Sequence, residues 1–272
     1  MPVDIEKLLA AVSPDSPCGD DMVYEPAYLE LERQAQGTPA QYAGERLVAE
    51  AVPPDWRVVR DQAVELLGHS KDLRVAVYLA EALLGLEGLG GLRDGLTLLR
   101  GLIERHWDDV HPRLDPDDGF DPLERLSILS AFAAPIEKQE PPASFGYLLS
   151  AALCTSPVFH RSYSLRDIRI ARGEIAPPPD AAQPPATLEE LQAAFTGEKL
   201  LDRQREELAE QLRQTAAAAR EAAGQLQAIS ALLVERVGAD KAPDYGVFGG
   251  MLSEIATTIG GFLGAPAGEA HP

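Results

Sequence analysis

The chain has 272 residues, 45 % of them hydrophobic and 25 % charged, and a formal net charge of −19. That is enough for one large core or two small ones, and too acidic for nucleic acid or an anionic membrane as a natural partner, because phosphates are repelled. Cys18 and Cys154 make no disulfide framework and read as thiols of a reducing compartment; Met1-Pro2-Val3-Asp4 lacks the basic and apolar runs of a secretory signal.

Val3 to Ala10 predicts a short helix with Ile5, Leu8 and Leu9 inward. Ser13 to Asp21, SPDSPCGDD, is turn chemistry. A helix restarts at Glu25 or Pro26, since proline suits the first helical position, with Tyr24, Tyr28, Leu31 and Ala35 as its stripe. Gly37 to Pro54 shows no period and reads as a loop.

Pro54 to Gly119 organises the rest and predicts three consecutive helices. In the first, Trp56, Val59, Ala63 and Leu66 recur at steps of three and four, Asp55 caps the start and Gly68 ends it. In the second, Ser70 is the expected N-cap and Asp72 sits favourably in the positive first turn. Leu73, Ala76, Val77, Ala80, Leu83 and Leu84 share one of its faces, and Val75, Leu79 and Leu86 cover another. A helix apolar on most sides is buried, so this one is central, with Leu79 and Leu83 as core anchors. The third carries Leu92, Leu96, Leu99, Ile103 and His106, and stops before Pro112. Trp56 and Trp107 hold stripe positions near helix ends and are read as further core anchors. Arg57, Arg60, Arg74 and Arg100 are expected to pair with acids of neighbouring helices rather than to await a partner.

In DPDDGFDPLERLSILSAF, Asp121 is an N-cap, Pro122 the first helical residue and Glu124 the capping-box partner, which turns Leu123, Leu126, Leu129 and Phe132 inward. Ser144 to Leu153 fits helix or strand equally, and so does Ser164 to Glu174.

The run DWRVVRDQAVELLGHSKDLRVAVYLAEALL, followed by GLRDGLTLLRGLIERHWDDVHPRLDPDDG, resembles the ImpA-type N-terminal domain of the TssA family of bacterial type VI secretion proteins. SPDSPCGDDMVYEPAYLELER (Ser13 to Arg33) and YSLRDIRIARGEI (Tyr163 to Ile175) resemble the same domain in the expected order. The likeness covers most of the chain before residue 180. It implies a non-enzymatic, cytoplasmic scaffold that meets baseplate and sheath or tube subunits, with no cofactor. Within that expectation stand a baseplate organiser and a cap on the growing sheath end; outside it stands a generic helical adaptor. TssA proteins usually finish with a ring-building region, and nothing after Leu263 resembles one, so the chain reads as a piece of a longer protein or a short variant.

Ala176 to Ala186 contains five prolines and is the expected domain boundary, a semi-extended spacer. Thr187 and Glu190 then offer a second capping box. From Glu198 to Val237 proline is absent, and Leu201, Leu208, Leu212, Thr215, Ala219, Ala222, Leu226, Ile229 and Leu233 lie near heptad spacing. One helix there would reach on the order of 60 Å. Gly238 to Asp244 is a turn, and Tyr245 to Leu263 returns as an apolar helix. Its length approaches a membrane span, but Glu254 and its glycines favour a buried helix. The expected fold class is therefore all-α: an N-terminal multi-helix domain over 1–176, a linker over 177–186, a long helical hairpin over 187–263 and a flexible tail over 264–272. Leu208, Leu212, Ile229, Leu233, Phe248, Leu252 and Ile255 are too many apolar groups for a lone hairpin to cover. They predict self-association, as a homodimer through a four-helix bundle.

Chemistry-bearing motifs fail on spacing. HWDDVH sets His106 and His111 five apart, which does not align two imidazoles for zinc. In DPDDG the offsets are wrong for a calcium loop, and its closing position is Leu126. GLGGLRDG puts Arg93 where a dinucleotide fingerprint needs glycine. No catalytic, cofactor or metal residue is assigned.

Overall fold

A computed structural model describes residues 3–38, 41–43, 46–49, 52–133, 144–178 and 183–264. The tail expected over 264–272 lies outside these apart from Gly264, as does the middle of the expected linker. The described residues form α1 (Ile5–Leu9), α2 (Pro26–Gln36), β1 (Gln41–Ala43), β2 (Arg46–Ala49), α3 (Trp56–His69) and α4 (Leu73–His106). A 3-10 turn (Pro116–Asp118), α5 (Leu123–Ala133), α6 (Ser144–Ser150), β3 (Cys154–Ser156), β4 (Arg161–Tyr163) and α7 (Leu165–Ala171) follow. The chain then makes α8 (Leu188–Thr196), α9 (Asp202–Val237) and α10 (Gly246–Gly264). The molecule is predominantly helical. Two small antiparallel hairpins, β1–β2 and β3–β4, correct the strictly all-α expectation.

Three helices do run from Trp56 to His106, because α4 doubles back. Gly88 sits inside it at φ 62°, ψ −140°, a conformation that glycine alone adopts cheaply. The two arms then lie side by side: a Cβ on Gly95 would stand 2.6 Å from that of Ala80. The amide of Leu73, at the start of α4, donates to the carbonyl of His111, just past its end. Sixteen of the apolar residues on the two arms, among them Leu79, Leu83, Leu92 and Leu96, are buried leucine, valine, isoleucine or alanine. This pair of arms is the axis of the bundle. Asp55 caps α3, its carboxylate accepting from Arg57 and Val58 N–H. Asp72, rather than Ser70, caps α4, and α3 runs through Gly68 to His69.

Local departures from the expected pattern have local causes. Gly37 to Pro54 holds the β1–β2 hairpin, whose strands are too short to show a period. Tyr24 precedes the N-cap of α2, so it leaves the Tyr28–Leu31 face and is 90 % exposed. Leu123 is the first residue of α5 and is 65 % exposed, while Leu126, Leu129 and Phe132 are buried. Ser144 to Ser150 is helix α6, and Ser164 and Asp167 form a reciprocal capping box that makes 165–171 helix α7. At α8, Thr187 accepts from the Glu190 amide, but the Glu190 carboxylate accepts from Tyr163 Oη at 2.6 Å and leaves its half of the box unmade.

The C-terminal region packs against the N-terminal half. α9 lies along α4 through its alanine-rich middle, where Ala216, Ala218, Ala219 and Ala222 are buried and permit close approach. Arg93 reaches Glu221 at 3.2 Å and Arg100 reaches Gln225 at 3.4 Å across this contact. α10 packs on α9 and on the N-terminal half: Phe248 meets the ring of Phe132 at 5.7 Å, Tyr245 Oη donates to the Leu129 carbonyl, and Glu254 pairs with Arg169 of α7. Leu208, Leu212, Ile229, Leu233, Phe248, Leu252 and Ile255 are each at most 7 % exposed within the single chain. Within the single chain they are covered by the bundle itself. Leu201, expected in the seam, precedes α9 and is exposed.

The described residues on the C-terminal side of the proline-rich segment pack against the N-terminal half. The Pro184 carbonyl accepts from Arg161, Ala186 is buried, and Leu191, Ala194 and Phe195 of α8 join the same core. By length and apolarity, α4 and α10 are both able to cross a membrane. α4, however, turns back at Gly88, and α10 buries Phe248, Met251, Leu252, Ile255 and Ile259 against the bundle.

Candidate docking surface

Where α4 starts and ends, three irregular segments cross: 18–21, 70–74 and 107–113. Lys71 N–H donates to Cys18 O, His111 N–H to Lys71 O, and Leu73 N–H to His111 O. Gly19 has φ 69°, and a Cβ there would lie 2.0 Å from the His69 carbonyl, so only glycine permits this crossing. Two of the polar groups trapped in it are held by carbonyls. Lys71 is buried and its Nζ donates to Leu67 O at 2.7 Å; burial lowers its pKa. His111 is buried with Nε2 donating to Gly19 O at 3.1 Å. Burial pushes the neighbouring Cys18 thiol up to about 11, which keeps it protonated and unreactive at neutral pH.

Arg125 joins this crossing to the rest. It is 1 % exposed; its Nε donates to Pro112 O at 2.7 Å, Nη2 to Val110 O at 2.6 Å and Nη1 to Trp107 O, while the guanidinium lies 4.9 Å from the Trp107 ring centre. One side chain therefore satisfies three carbonyls at the end of α4 and fixes the path of 107–113 against α5. On the other side Arg74 pairs with carboxylates instead, Asp72 first among them. Burial lowers its pKa, but the hydrogen bonds and charge of Asp72 more than offset that and raise it; it also reaches Asp21 at 3.2 Å and Glu124 at 3.7 Å.

These anchors hold out the loop from Pro112 to Pro122. Asp115 accepts from Asp117 N–H, Gly119 is left-handed at φ 65°, and Phe120 follows at φ 60°, with its amide on Asp115 O. A left-handed non-glycine residue costs on the order of 1–3 kcal/mol. Here that conformation carries a phenyl ring that is 59 % exposed. Three adjoining hollows of about 590, 360 and 520 Å³ surround the loop and all share Leu114. The first is bordered by Tyr24, the second by Leu123 and the third by Phe120, so the three exposed apolar side chains mark one edge of the molecule. Between them stand Asp115, Asp118, Asp121 and Glu124.

The residues named from the sequence lie elsewhere or beneath. Leu79 and Leu83 are buried in α4. Trp56 is half-buried, standing edge-on to Tyr147 at 4.9 Å and over the glycine face at Gly85. Trp107 is buried under Arg125. His106 donates to Leu9 O at 2.9 Å, so HWDDVH places both its histidines on backbone carbonyls. Among the described residues no group of histidine, cysteine and carboxylate is arranged to hold a metal. Of the four arginines, Arg74 pairs across elements, Arg60 pairs with its neighbour Asp61, and Arg100 with Glu104 on its own helix. The exposed edge was missed because Tyr24 and Leu123 extend apolar stripes by one step. The usable signal was Phe120, a lone aromatic inside an acidic turn.

The fold is thus a helical bundle built on a doubled-back α4, with its crossing segments pinned by buried cations and an acidic loop held outward. Residues 9–134 match the family model of the ImpA N-terminal region, type VI secretion system. The matched stretch is somewhat under half of the chain. The chain is 52 % identical over 132 residues to the type VI secretion system component TssA1 of Pseudomonas aeruginosa, covering 48 % of this chain and 38 % of that protein. The chain thus spans well under half the length of that curated relative. The solved N-terminal domain including the conserved ImpA_N region of the TssA component from Burkholderia cenocepacia superposes with a TM-score of 0.73 at 26 % identity, over 97 % of this chain and 94 % of that one. The likeness extends through α9 and α10, as the shared core requires.

Proposed function

We propose that the chain is a non-enzymatic part of the type VI secretion machine. It works in the cytoplasm as a rigid docking module that joins baseplate and contractile-sheath subunits through protein contacts. What carries this reading is the exposed edge of Tyr24, Phe120 and Leu123, held out by buried Arg125 and partly buried Arg74 on a domain that matches the secretion family's model. Exposed apolar side chains that a fold holds up at the expense of backbone strain mark protein contact surfaces. The self-associating hairpin is no part of this reading, since its apolar groups are used inside the chain.

The test is a chromosomal Phe120→Ser/Leu123→Ser pair in a strain whose sheath is fluorescently marked. Both side chains are exposed, so the fold is retained. The expected result is normal protein abundance with loss of extended sheaths. Sheaths that form but do not extend would place the contact at the growing end instead of the baseplate. Wild-type sheath numbers and length would contradict the docking role of this edge.

A further inference from the structure

We infer that the edge formed by Tyr24, Phe120 and Leu123 receives a basic segment of a partner protein, one that sets arginine or lysine beside an apolar anchor. This rests on the docking reading above and adds the chemistry of what docks. Asp115, Asp117, Asp118, Asp121 and Glu124 fall within ten residues around Phe120 and Leu123, and all are exposed. Asp115 and Asp121 use one oxygen each to accept a backbone amide, from Asp117 and Leu123 respectively. Among the described residues, Asp115, Asp117, Asp118 and Asp121 have no ion-pair partner, and Glu124 has only Arg74 at 3.7 Å.

Two of the nearby cations are already committed. Arg125 is buried on three carbonyls, Arg74 on Asp72, and Arg113 points a nitrogen at Gly19 O at 3.4 Å. Arg236 and Lys241 border only the hollow on the Phe120 side. The Leu123 hollow therefore presents Asp115, Asp118, Asp121 and Glu124 around apolar Leu114 and Leu123, with its two arginines turned to backbone oxygen. An apolar anchor with unpaired carboxylates on its rim repels acidic partners and favours a basic one with an aliphatic or aromatic side chain. Arginine fits best, since its fork takes a carboxylate while its plane lies on an exposed ring.

A labelled peptide alternating arginine with tryptophan and leucine, titrated into the full chain by fluorescence anisotropy, tests this. Its control carries glutamate in place of arginine. Binding is expected for the basic peptide only. It should weaken about tenfold, the effect of roughly 1.4 kcal/mol, in Asp117→Asn/Asp118→Asn/Asp121→Asn and separately in Phe120→Ser, and fall with added salt. Because the whole chain is acidic, Glu206→Gln/Glu207→Gln/Glu210→Gln on exposed α9 serves as the reference and should bind as wild type. The proposal is overturned if the glutamate peptide binds equally, if neither peptide binds, or if the α9 variant loses as much as the loop variant. Its failure is separable from that of the docking role: the Phe120→Ser/Leu123→Ser strain would still lose its sheaths, while the aspartate-neutralised strain would keep them.

Discussion

Two apolar surfaces of this molecule met opposite fates. The seam of α9 and α10 is long and regular, and it is wholly covered by α4, α5 and α8 of the same chain. The edge around Phe120 is small and irregular, has no period, and stays in water. An apolar stripe records that something must cover it, and is silent on whether the cover is the same chain. An isolated apolar residue in a strained, acidic turn has no reason to be there for packing. The second is the better mark of an interaction site.

Several substitutions break or sharpen this contrast. The largest effect is expected in the seam itself: Phe248→Ala removes a fully buried ring from its contact with Phe132 and should cost about 3–5 kcal/mol in denaturant unfolding. Were the seam an intermolecular surface, the loss would depend on protein concentration; here it should not. Next is Arg125→Met, which strips the donors from Trp107, Val110 and Pro112 carbonyls and should cost roughly 2–5 kcal/mol. Leu79→Ala and Leu83→Ala, in the first arm of α4, should each cost roughly 2–5 kcal/mol and lower the same cooperative transition as Phe248→Ala.

A smaller effect is pH-linked. Burial raises the Cys18 thiol from 9.0 to about 11. Below about pH 8.5 the thiol is neutral folded and unfolded, and its contribution to stability is fully present. Between pH 9 and 11 the unfolded chain loses the proton first, so that contribution falls. The stability advantage of wild type over Cys18→Ala should shrink in this window by up to about 1.4 kcal/mol per pH unit. An advantage that is constant from pH 8 to 10.5 would show that the thiol is not held in this dry crossing. The smallest effect has the opposite sign: Phe120→Asn puts a residue tolerant of the left-handed region at φ 60° and should leave stability unchanged or raise it by up to about 1 kcal/mol. A destabilisation above 1 kcal/mol would mean that the ring packs inward.

Much of the fold was legible in the sequence. The stripes from Val59 to Ile103, the Asp55 cap and the break before Leu92 are local signals, and local signals survive into the structure. Short strands were not legible, because three or four residues show no period. The buried cations were harder still. Lys71 and Arg125 are charged, and a charge reads as solvent; only the place of Arg125 on the Leu126–Leu129 face, four residues before Leu129, hinted that it turned inward. The cover of the α9 seam was invisible because α4 lies more than a hundred residues away, and periodicity carries no information at that range. Phe120 was readable, but only by asking why an aromatic stands in an acidic turn.

Native-state hydrogen exchange of the full chain tests most directly whether the hairpin completes the N-terminal core. Amides in the middle of α9, from Ala216 to Leu226, and those of α4 from Leu92 to Ile103 should exchange with the same free energy, equal to that of global unfolding. An α9 that opens several kcal/mol more easily than α4, or one whose protection rises with protein concentration, would contradict a single intramolecular core and return the seam to a second copy.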